Sequence, residues 1–434
     1  MNILVVSGEY PPMKGGVGRY TRNLVQALAK SPDVEVCVAI GGNVAVIGDH
    51  GQATNDIPTY RGVIRKGDKR NSDRLLQLVS EIKPDVVNIQ YERGLYEVDT
   101  TIRHTFWRLV HGSTLDKFYK LCPVPTASTL HTVFPSDEYC LYIQERAYRK
   151  EGKFSFLPRG LRAAIRRWVM EQRYDLLLHV VRQSNGIICP ARTLQEIVRQ
   201  GRVIYHGAEP AIELSPTCSP SPLDKKEFRK SFGLPLEGML LLAFGYAGSY
   251  KGFDVLAGIG LPEGWSLVVK QTKHERGFER PIEIESNKRK NLITLNLGYL
   301  DDTTMSKLFF ACDAIIFPYK IVSVSGVMFD ALAHGLPFVA SDLKFFKEFA
   351  DMGLGIACKR DPMSFERSLS TLALEFDEYK RRVEQFRPKL RWTSIANKHI
   401  EFFLELVSHY NSTNQSATKS GKEKKQAQEL PDNK

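Results

Sequence analysis

Short apolar runs alternate with amphipathic stretches along most of the chain, and few folds accept this pattern. The first series starts at ILVV (3–6) and the second at LLLAF (240–244), with the proline-rich stretch SPTCSPSP (215–222) between them. Alternating strands and helices predict parallel sheets that are covered by helices on both faces. We therefore predict an α/β protein with two Rossmann-like domains that face each other across an interdomain cleft.

A length of 434 residues suits two domains of ordinary size. We predict a first domain at 1–210 and a second domain at 211–390. A helix at about 391–410 is expected to pack back on the first domain. The polar residues 411–434 are expected to form a disordered tail.

The composition narrows the class of protein and its location. The formal net charge of +11 predicts acidic partners such as nucleotides or an anionic membrane surface, and no recognised nucleic-acid-binding module accompanies it. The seven cysteines form no C-x-x-C pair, which indicates reduced thiols rather than disulfides or a zinc site. No apolar run approaches the roughly 18 residues of a spanning helix, and the N-terminus lacks a signal-peptide pattern. We therefore expect a cytoplasmic protein, either soluble or held peripherally on the inner face of a membrane.

Each series contains a glycine-rich turn between a strand and a helix. In the first, ILVV is followed by SGEYPPMKGGVGRY, where Gly15 and Gly16 precede a helix. In the second, LLLAFGYAGSYKGFDVL puts Gly245 at a strand end and Lys251 before the next helix. Glycines at such turns allow a ligand to approach the backbone closely, although a plain turn is the alternative. The first turn is not G-x-G-x-x-G, so a dinucleotide site is disfavoured.

Further strand ends carry residues that suit an anion. Gly298 closes a later strand, and Ser-Val-Ser-Gly (323–326) lies between the strand AIIFP (314–318) and a helix-like stretch. The first N–H groups of a helix have no intrahelical acceptor, so such a turn can hold an anion. Glycine-bearing strand ends with one lysine among them suit a diphosphate better than a neutral ligand. His131 lies at the cleft edge of the first domain, where a structural and a functional role are both open.

In their order and spacing, seven blocks of the sequence resemble those of glycosyltransferase family 4. They span nearly the whole folded chain and read EYPPMKGGVGRY, VNIQYERGLY, STLHT, VIYHGAEP, FGYAGSYKGFDVL, NLGYLDD and FPYKIVSVSGVMFDALAHGLPFVASD. Members of this family are retaining transferases of GT-B fold that use nucleotide-sugar donors. The resemblance implies that Gly15 and Gly16 approach the donor phosphate and the reacting sugar, that His131 contacts the donor sugar, and that Lys251 neutralises the departing diphosphate. The anion expected at 323–326 is thus a nucleotide diphosphate.

The sequence departs from the family pattern at three positions. The family commonly has two glutamates eight positions apart, and here those positions hold Val322 and Asp330. Asp330 can still accept a hydrogen bond from a ribose, whereas Val322 has no polar side-chain atom. An arginine of the family is replaced by Tyr246, which supplies no charge, and we expect Lys270 and Lys320 to compensate. The predicted catalytic residues are His131 and Lys251, and the predicted donor-binding residues are Gly15, Gly16, Gly245, Tyr246, Lys270, Gly298, Lys320, Ser325, Gly326, Val327 and Asp330.

The chemistry that we expect needs neither a metal nor a cofactor. No D-x-D motif stands at a strand end, and Asp301-Asp302 is interpreted as the start of a helix. Helix-start amides and lysines would then neutralise the diphosphate. The family is usually described by front-face attack, in which the leaving phosphate takes the proton of the acceptor. Glu9 and Glu92 lie near the predicted cleft and are interpreted as structural or surface carboxylates.

One stretch goes beyond the family pattern. Between Arg146 and Arg173, arginines recur at helical spacing (Arg159, Arg162, Arg166), and Leu161, Ile165 and Trp168 share another face. Such a helix can lie on an anionic membrane, or it can pack its apolar face inside a domain.

The predicted function is transfer of a hexose from a nucleotide diphosphate sugar to a carbohydrate or lipid-linked acceptor. Two alternatives stay open. One is a non-catalytic GT-B protein that binds sugar nucleotides or a partner enzyme, and the other is a nucleotide-sugar epimerase on the same fold. The expected partners are the nucleotide sugar, the acceptor and an anionic membrane surface, and nucleic acid is not among them.

Overall fold

The computed structural model describes residues 1–13, 15–42, 57–97, 113–141, 157, 158, 160, 161, 163–165, 167, 168, 171, 178, 181–212, 221–272 and 291–428, with side chains as far as 413. Residues 213–220, which include most of the proline-rich stretch at 215–222, and most of the basic stretch at 146–173 lie outside this set.

The first domain is built on a seven-stranded sheet in the order β3-β2-β1-β4-β5-β6-β7, in which neighbouring strands run parallel. Its central strands β1, β4 and β5 are almost wholly buried because helices cover both faces. The strands are β1 (Asn2–Ser7), β2 (Glu35–Gly41), β3 (Thr59–Ile64), β4 (Val86–Tyr91), β5 (Thr126–Leu130), β6 (Gly186–Cys189) and β7 (Arg202–Val203).

The second domain is built on a six-stranded parallel sheet in the order β10-β9-β8-β11-β12-β13. The strands are β8 (Met239–Tyr246), β9 (Trp265–Thr272), β10 (Leu292–Thr294), β11 (Ala314–Phe317), β12 (Phe338–Ser341) and β13 (Gly355–Cys358). The two parallel α/β sheets confirm the predicted fold class. The boundaries drawn at 210 and 390 stay predictions.

Most of the crossovers between strands contain helices. In chain order the α-helices are α1 (Gly16–Leu28), α2 (Asn71–Ile82), α3 (Arg93–Tyr96), α4 (Asp116–Leu121), α5 (Arg192–Val198), α6 (Pro222–Ser231), α7 (Asp302–Ala311), α8 (Gly326–Ala333), α9 (Lys344–Ala350), α10 (Pro362–Leu374), α11 (Phe376–Phe386) and α12 (Trp392–Gln428). Asp301 is the N-cap of α7 and accepts a hydrogen bond from the Thr304 amide at 2.8 Å, which confirms that this aspartate pair starts a helix.

The last helix runs along the first domain. Ile395, Ala396 and Phe403 of α12 are buried in one apolar cluster with Tyr20 and Leu24 of α1. Burial of these apolar side chains stabilises the packing of α12 on the first domain.

The C-terminal end of this helix, predicted from the sequence at about residue 410, is wrong. Residues 411–428 were expected to belong to a disordered tail, but α12 continues to Gln428. This part of the sequence has no proline and several strong helix formers (alanine, lysine, glutamate and glutamine), so nothing stops the helix at residue 410.

Among the described helices, none combines the length and the apolar content needed to cross a membrane.

Candidate functional site

The carboxyl ends of the two sheets meet at the Ser-Val-Ser-Gly turn. The amide of Val133, in the loop after β5, donates to Ser323 Oγ at 2.7 Å, and Ser323 Oγ donates to the carbonyl of Val133 at 2.9 Å. These bonds join a first-domain loop to a second-domain turn that is 190 residues away in sequence. The structure therefore brings the segments of His131 and Ser325 to one region of contact between the domains, which we call the joint.

The turn leads from β11 into α8 as the sequence predicted. Ser325 is the N-cap, and its hydroxyl accepts from the amide of Met328 at 3.3 Å. Gly326 and Val327 form the first turn of α8, where backbone N–H groups point along the helix axis away from any intrahelical acceptor. The positive end of the helix dipole adds to the attraction for an anion.

Lys251 lies beside this helix start, linked to it by one tyrosine. The Lys251 ammonium hydrogen-bonds the Tyr319 hydroxyl and lies 3.9 Å from the centre of the Tyr319 ring. The hydroxyl of Tyr319 is also hydrogen-bonded to Ser325. Burial lowers the pKa of Lys251 to about 7, because an ammonium loses its hydration in an apolar site. An anion that bound here would favour the charged form.

Gly245 makes room for this lysine. Its φ of 150° lies in the region that favours glycine, and a Cβ atom would lie 3.3 Å from Lys251 Cε. Tyr246 follows as the last residue of β8 and is half-buried. Gly245 therefore lies against Lys251, and the role of Tyr246 stays a prediction.

The two other predicted lysines are engaged in contacts within the second domain. Lys270 is fully buried. Its ammonium donates hydrogen bonds to Thr272 and, at 2.7 Å, to the carbonyl of Gly298, so the predicted residues Lys270 and Gly298 are in contact. Burial lowers the pKa of Lys270 to about 8. Lys320 Nζ lies 3.4 Å from Asp254 Oδ2, and a carboxylate therefore offsets much of its charge. Their expected role in compensating for Tyr246 stays a prediction.

His131 packs between the domains as a neutral ring. Its Nε2 lies 2.9 Å from Gln90 Oε1, and its ring meets Tyr20 edge-on at 4.9 Å. An amide oxygen only accepts, so Nε2 carries the proton and Nδ1 keeps the lone pair. Burial, together with the nearby His206, lowers the pKa of His131 to about 3. The neutral ring can therefore accept a hydrogen bond from a sugar hydroxyl through Nδ1, but it is not a cation at neutral pH.

A carboxylate occupies the start of α1, where the resemblance implied a donor phosphate. Glu9 Oε2 accepts from the Gly18 amide at 3.0 Å, and a Cβ atom on Gly15 would lie 1.9 Å from Glu9 Oε1. A Cβ atom on Gly15 would displace the end of the Glu9 side chain, whereas a Cβ atom on Gly16 would have open space around it. Glu92 lies nearby, and burial and the charge of Glu9 raise its pKa to about 7. In the structure, Glu9 is therefore engaged at the first turn of α1.

Asp330 makes an interdomain ion pair instead of standing free at the cleft. Arg19 of α1 donates to its two carboxylate oxygens at 2.7 and 2.9 Å. Asp302 lies 3.0 Å from Arg19 Nε and also accepts from Arg22 at 2.6 Å. Each domain contributes two charges to this network, so its net charge is zero. A ribose hydroxyl would have to share the Asp330 carboxylate with Arg19. Binding of a ribose by Asp330 stays a prediction.

Two residues at this joint were missed as functional candidates. Arg19 lies inside EYPPMKGGVGRY and His206 inside VIYHGAEP, so both belong to blocks that carry the resemblance. Arg19 is one of two arginines on the polar face of an amphipathic helix, so the local sequence contained no distinct signal for it. Its partner is 311 residues away, which no local pattern reveals.

Among the described residues, no three histidine, cysteine, aspartate or glutamate side chains are grouped so as to hold a metal ion.

Comparison with known proteins identifies relatives by structure. The sequence matches no protein-family model and no curated protein. The structure is similar to sucrose-phosphate synthase from Thermosynechococcus elongatus, with a TM-score of 0.62 and 14% identity over 94% of this chain and 99% of that one. It is also similar to Anabaena HepE in complex with UDP (TM-score 0.57, 12% identity, 93% and 100% covered). Starch synthase IV from Arabidopsis thaliana, bound to ADP and acarbose, gives a TM-score of 0.58 at 14% identity (94% and 99% covered).

These similarities extend over nearly the whole chain and concern the fold, because the identities are low. The chain therefore has the fold of GT-B glycosyltransferases, with two facing Rossmann-like domains.

Proposed function

We propose that this protein is a retaining glycosyltransferase that moves a hexose from a nucleotide diphosphate sugar to a carbohydrate or lipid-linked acceptor. The observation that carries the proposal is the cluster of Lys251, Tyr319 and the start of α8 at Ser325. It combines one cation with helix-start amides at the carboxyl edge of a parallel sheet, where GT-B neighbours with UDP or ADP share the fold.

The cluster suits stabilisation of a departing diphosphate. Charge develops on the leaving phosphate in the transition state, and preorganised donors that face it lower the barrier. Lys251 has a pKa near neutrality, so a dianion beside it draws the lysine into its charged form. The leaving phosphate would take the acceptor's proton, so no carboxylate nucleophile is needed.

His131 is proposed to contact the donor sugar. The loop that follows His131 is hydrogen-bonded to the turn before α8 through Val133 and Ser323, which supports this role. With the proton on Nε2, Nδ1 is the atom that accepts from a sugar hydroxyl. A neutral ring suits a sugar better than a cation would, since Lys251 already supplies charge for the phosphate.

We also propose that the stretch 146–173 holds the enzyme on an anionic membrane. Arg159, Arg162 and Arg166 lie outside the described residues, but Leu161 and Trp168 are 50% and 42% exposed. Exposed apolar side chains on a basic helical stretch favour a membrane surface over packing inside a domain.

Titration of the protein with UDP, ADP and GDP, followed by turnover of the matching sugar donors with and without EDTA, tests the proposed function. We expect one diphosphate to bind and its sugar donor to be consumed with retention of the anomeric configuration, in the presence of EDTA as in its absence. Binding without turnover of any donor favours the non-catalytic alternative. Activity that EDTA abolishes and manganese restores contradicts the metal-free chemistry.

A further inference from the structure

His206 lies against the same helix start as the proposed diphosphate. It follows β7, and its ring stacks on Phe329 of α8 with centroids 5.5 Å apart and planes inclined by 7°. Tyr20 of α1 lies 4.8 Å away on another side. A Cβ atom added to Gly326 would lie 3.4 Å from His206 Nε2. This ring nitrogen is therefore beside the first residue of α8.

The hydrogen bond of the other nitrogen decides the tautomer. His206 Nδ1 lies 2.7 Å from the carbonyl oxygen of Gly207, and a carbonyl only accepts. Nδ1 therefore carries the proton, and in the neutral ring Nε2 presents its lone pair on the side of the turn. A lone pair repels a phosphate oxygen, whereas a protonated Nε2 donates a charge-assisted hydrogen bond to it.

The surroundings hold His206 neutral at pH 7. Burial is the largest effect and lowers its pKa to about 4. Two charged groups that face the ring, Arg19 from α1 and Asp330 from α8, are bonded to each other and act on the pKa in opposite directions. The remaining titratable neighbours are Tyr20 and His131, and both are uncharged at pH 7. The carboxylate of Asp330 is already paired with Arg19, so burial keeps the ring neutral in the absence of an anion.

We infer that His206 is a phosphate-binding residue whose Nε2 takes up one proton from solvent when a nucleoside diphosphate binds at the start of α8. The inference rests on the proposed function, since it needs the diphosphate at Ser325–Val327. The negative charge of the ligand raises the affinity of the ring for a proton, and the new N–H donates to a phosphate oxygen. The ring changes from neutral to singly positive, and no covalent bond to the ligand forms or breaks.

Calorimetry at pH 6 in two buffers of different ionisation enthalpy counts the protons taken up when UDP, ADP or GDP binds. Lys251, with a pKa of about 7, is already mostly protonated at this pH. The terminal phosphate of the ligand, whose pKa is about 6, releases protons equally in all variants. We expect wild type to take up close to one proton more than His206→Gln, and to bind the diphosphate at least tenfold more tightly at pH 6 than the variant does.

His206→Asn serves as a second variant because its amide can still donate to Gly207, and it should behave like His206→Gln. His409→Gln, on an exposed part of α12, is the matched control and should leave the proton count unchanged. Circular dichroism checks that each variant is folded.

The outcomes separate the inference from the proposed function. Diphosphate binding with equal proton counts in wild type and in the folded His206 variants overturns the inference alone. If no variant folds, net proton release by wild type at pH 6 overturns it. If none of the three diphosphates binds, the proposed function fails, and the inference fails with it.

Discussion

Lys251 is the residue on which the chemistry of the proposed site depends most. It is buried and has no carboxylate among the causes that shift its pKa, so burial alone lowers that pKa to about 7. A structural lysine would normally gain a carboxylate partner, as Lys225 does with Asp313. A buried lysine bonded to a tyrosine hydroxyl is instead suited to an anion that arrives with its own charge.

Replacement of Lys251 by alanine should weaken binding of the preferred nucleoside diphosphate by at least tenfold, because a charge-assisted hydrogen bond is lost. Wild-type affinity should also fall as the pH rises above 7, since a lysine with this pKa must take up a proton to meet the ligand. The alanine variant should lack that part of the pH dependence. Titration calorimetry between pH 6 and pH 9 measures both effects.

Lys347→Ala, which removes an exposed lysine from α9, is the matched control and should bind like wild type. Equal diphosphate affinity in wild type and Lys251→Ala would contradict the assignment of Lys251.

At the scale of single elements, α1 connects the two domains. Its first turn is capped by Glu9, its Arg19 pairs with Asp330 of α8, and its Tyr20 packs against Trp392 of α12. This helix therefore contacts elements of both domains. The stretch 146–173 is a different case, because Leu161 and Trp168 are exposed instead of packed on a neighbouring element.

That stretch should bind vesicles containing anionic phosphatidylglycerol. Each arginine near an anionic surface contributes about 1 kcal/mol, so three give reversible attachment that is screened at high salt. We expect wild type to sediment with the vesicles at low salt and to leave them at high salt. Replacement of Arg159, Arg162 and Arg166 by glutamine should abolish sedimentation without changing nucleotide affinity.

A control variant with the same loss of charge replaces the exposed residues Arg367, Arg381 and Lys398 by glutamine. It should still sediment. Equal loss in both triple variants would mean that the total charge, rather than this stretch, attracts the membrane, and a wild type that ignores anionic vesicles would exclude the attachment.

At the scale of the whole molecule, the domains are joined by a core that contains neutral histidines. His131, His206 and His399 surround Tyr20, whose hydroxyl lies 3.5 Å from His399 Nε2. Burial lowers the pKa of His399 to about 4, and the pKa values of the other two are also well below 6.5. The three histidines of the joint are therefore neutral at pH 7.

This joint should make the protein sensitive to acid. Below pH 6.5 the unfolded chain binds protons at these histidines and the folded chain does not, so stability is complete above pH 6.5 and is lost as the pH falls towards 4. Each histidine lowers the free energy of unfolding by about 1.4 kcal/mol per pH unit in this window. Glu92, with its pKa raised to about 7, acts in the opposite direction and offsets about one of the three histidines.

Urea denaturation at pH 7.5 and pH 5.5 measures the effect. His399→Gln should reduce the loss of stability between these pH values relative to wild type, and the exposed His409→Gln should not. An identical loss in wild type and His399→Gln would mean that His399 is not held neutral.

Much of this architecture is readable from local sequence. Residues 240–244 and 314–318 were predicted as strands because their apolar runs are flanked by turns, and the structure contains β8 and β11 there. The edge strands β3, β7 and β13 were not predicted. A strand at the edge of a sheet has one paired neighbour and less burial, so its apolar pattern is weaker. The start of α8 was predictable for a similar local reason, since a serine-glycine turn after a buried strand is a property of neighbouring residues.

The pairing of charges across the joint depended on tertiary structure. The sequence by itself determined local features, such as the glycine turn before α1, the Ser-Val-Ser-Gly turn before α8 and the aspartate that starts α7. Only the tertiary structure decided that Glu9 caps α1, that Arg19 holds both oxygens of Asp330, and that His206 faces Gly326. Burial and electrostatic energies depend on distances between residues that are hundreds of positions apart, and those distances exist only once the two domains have packed together.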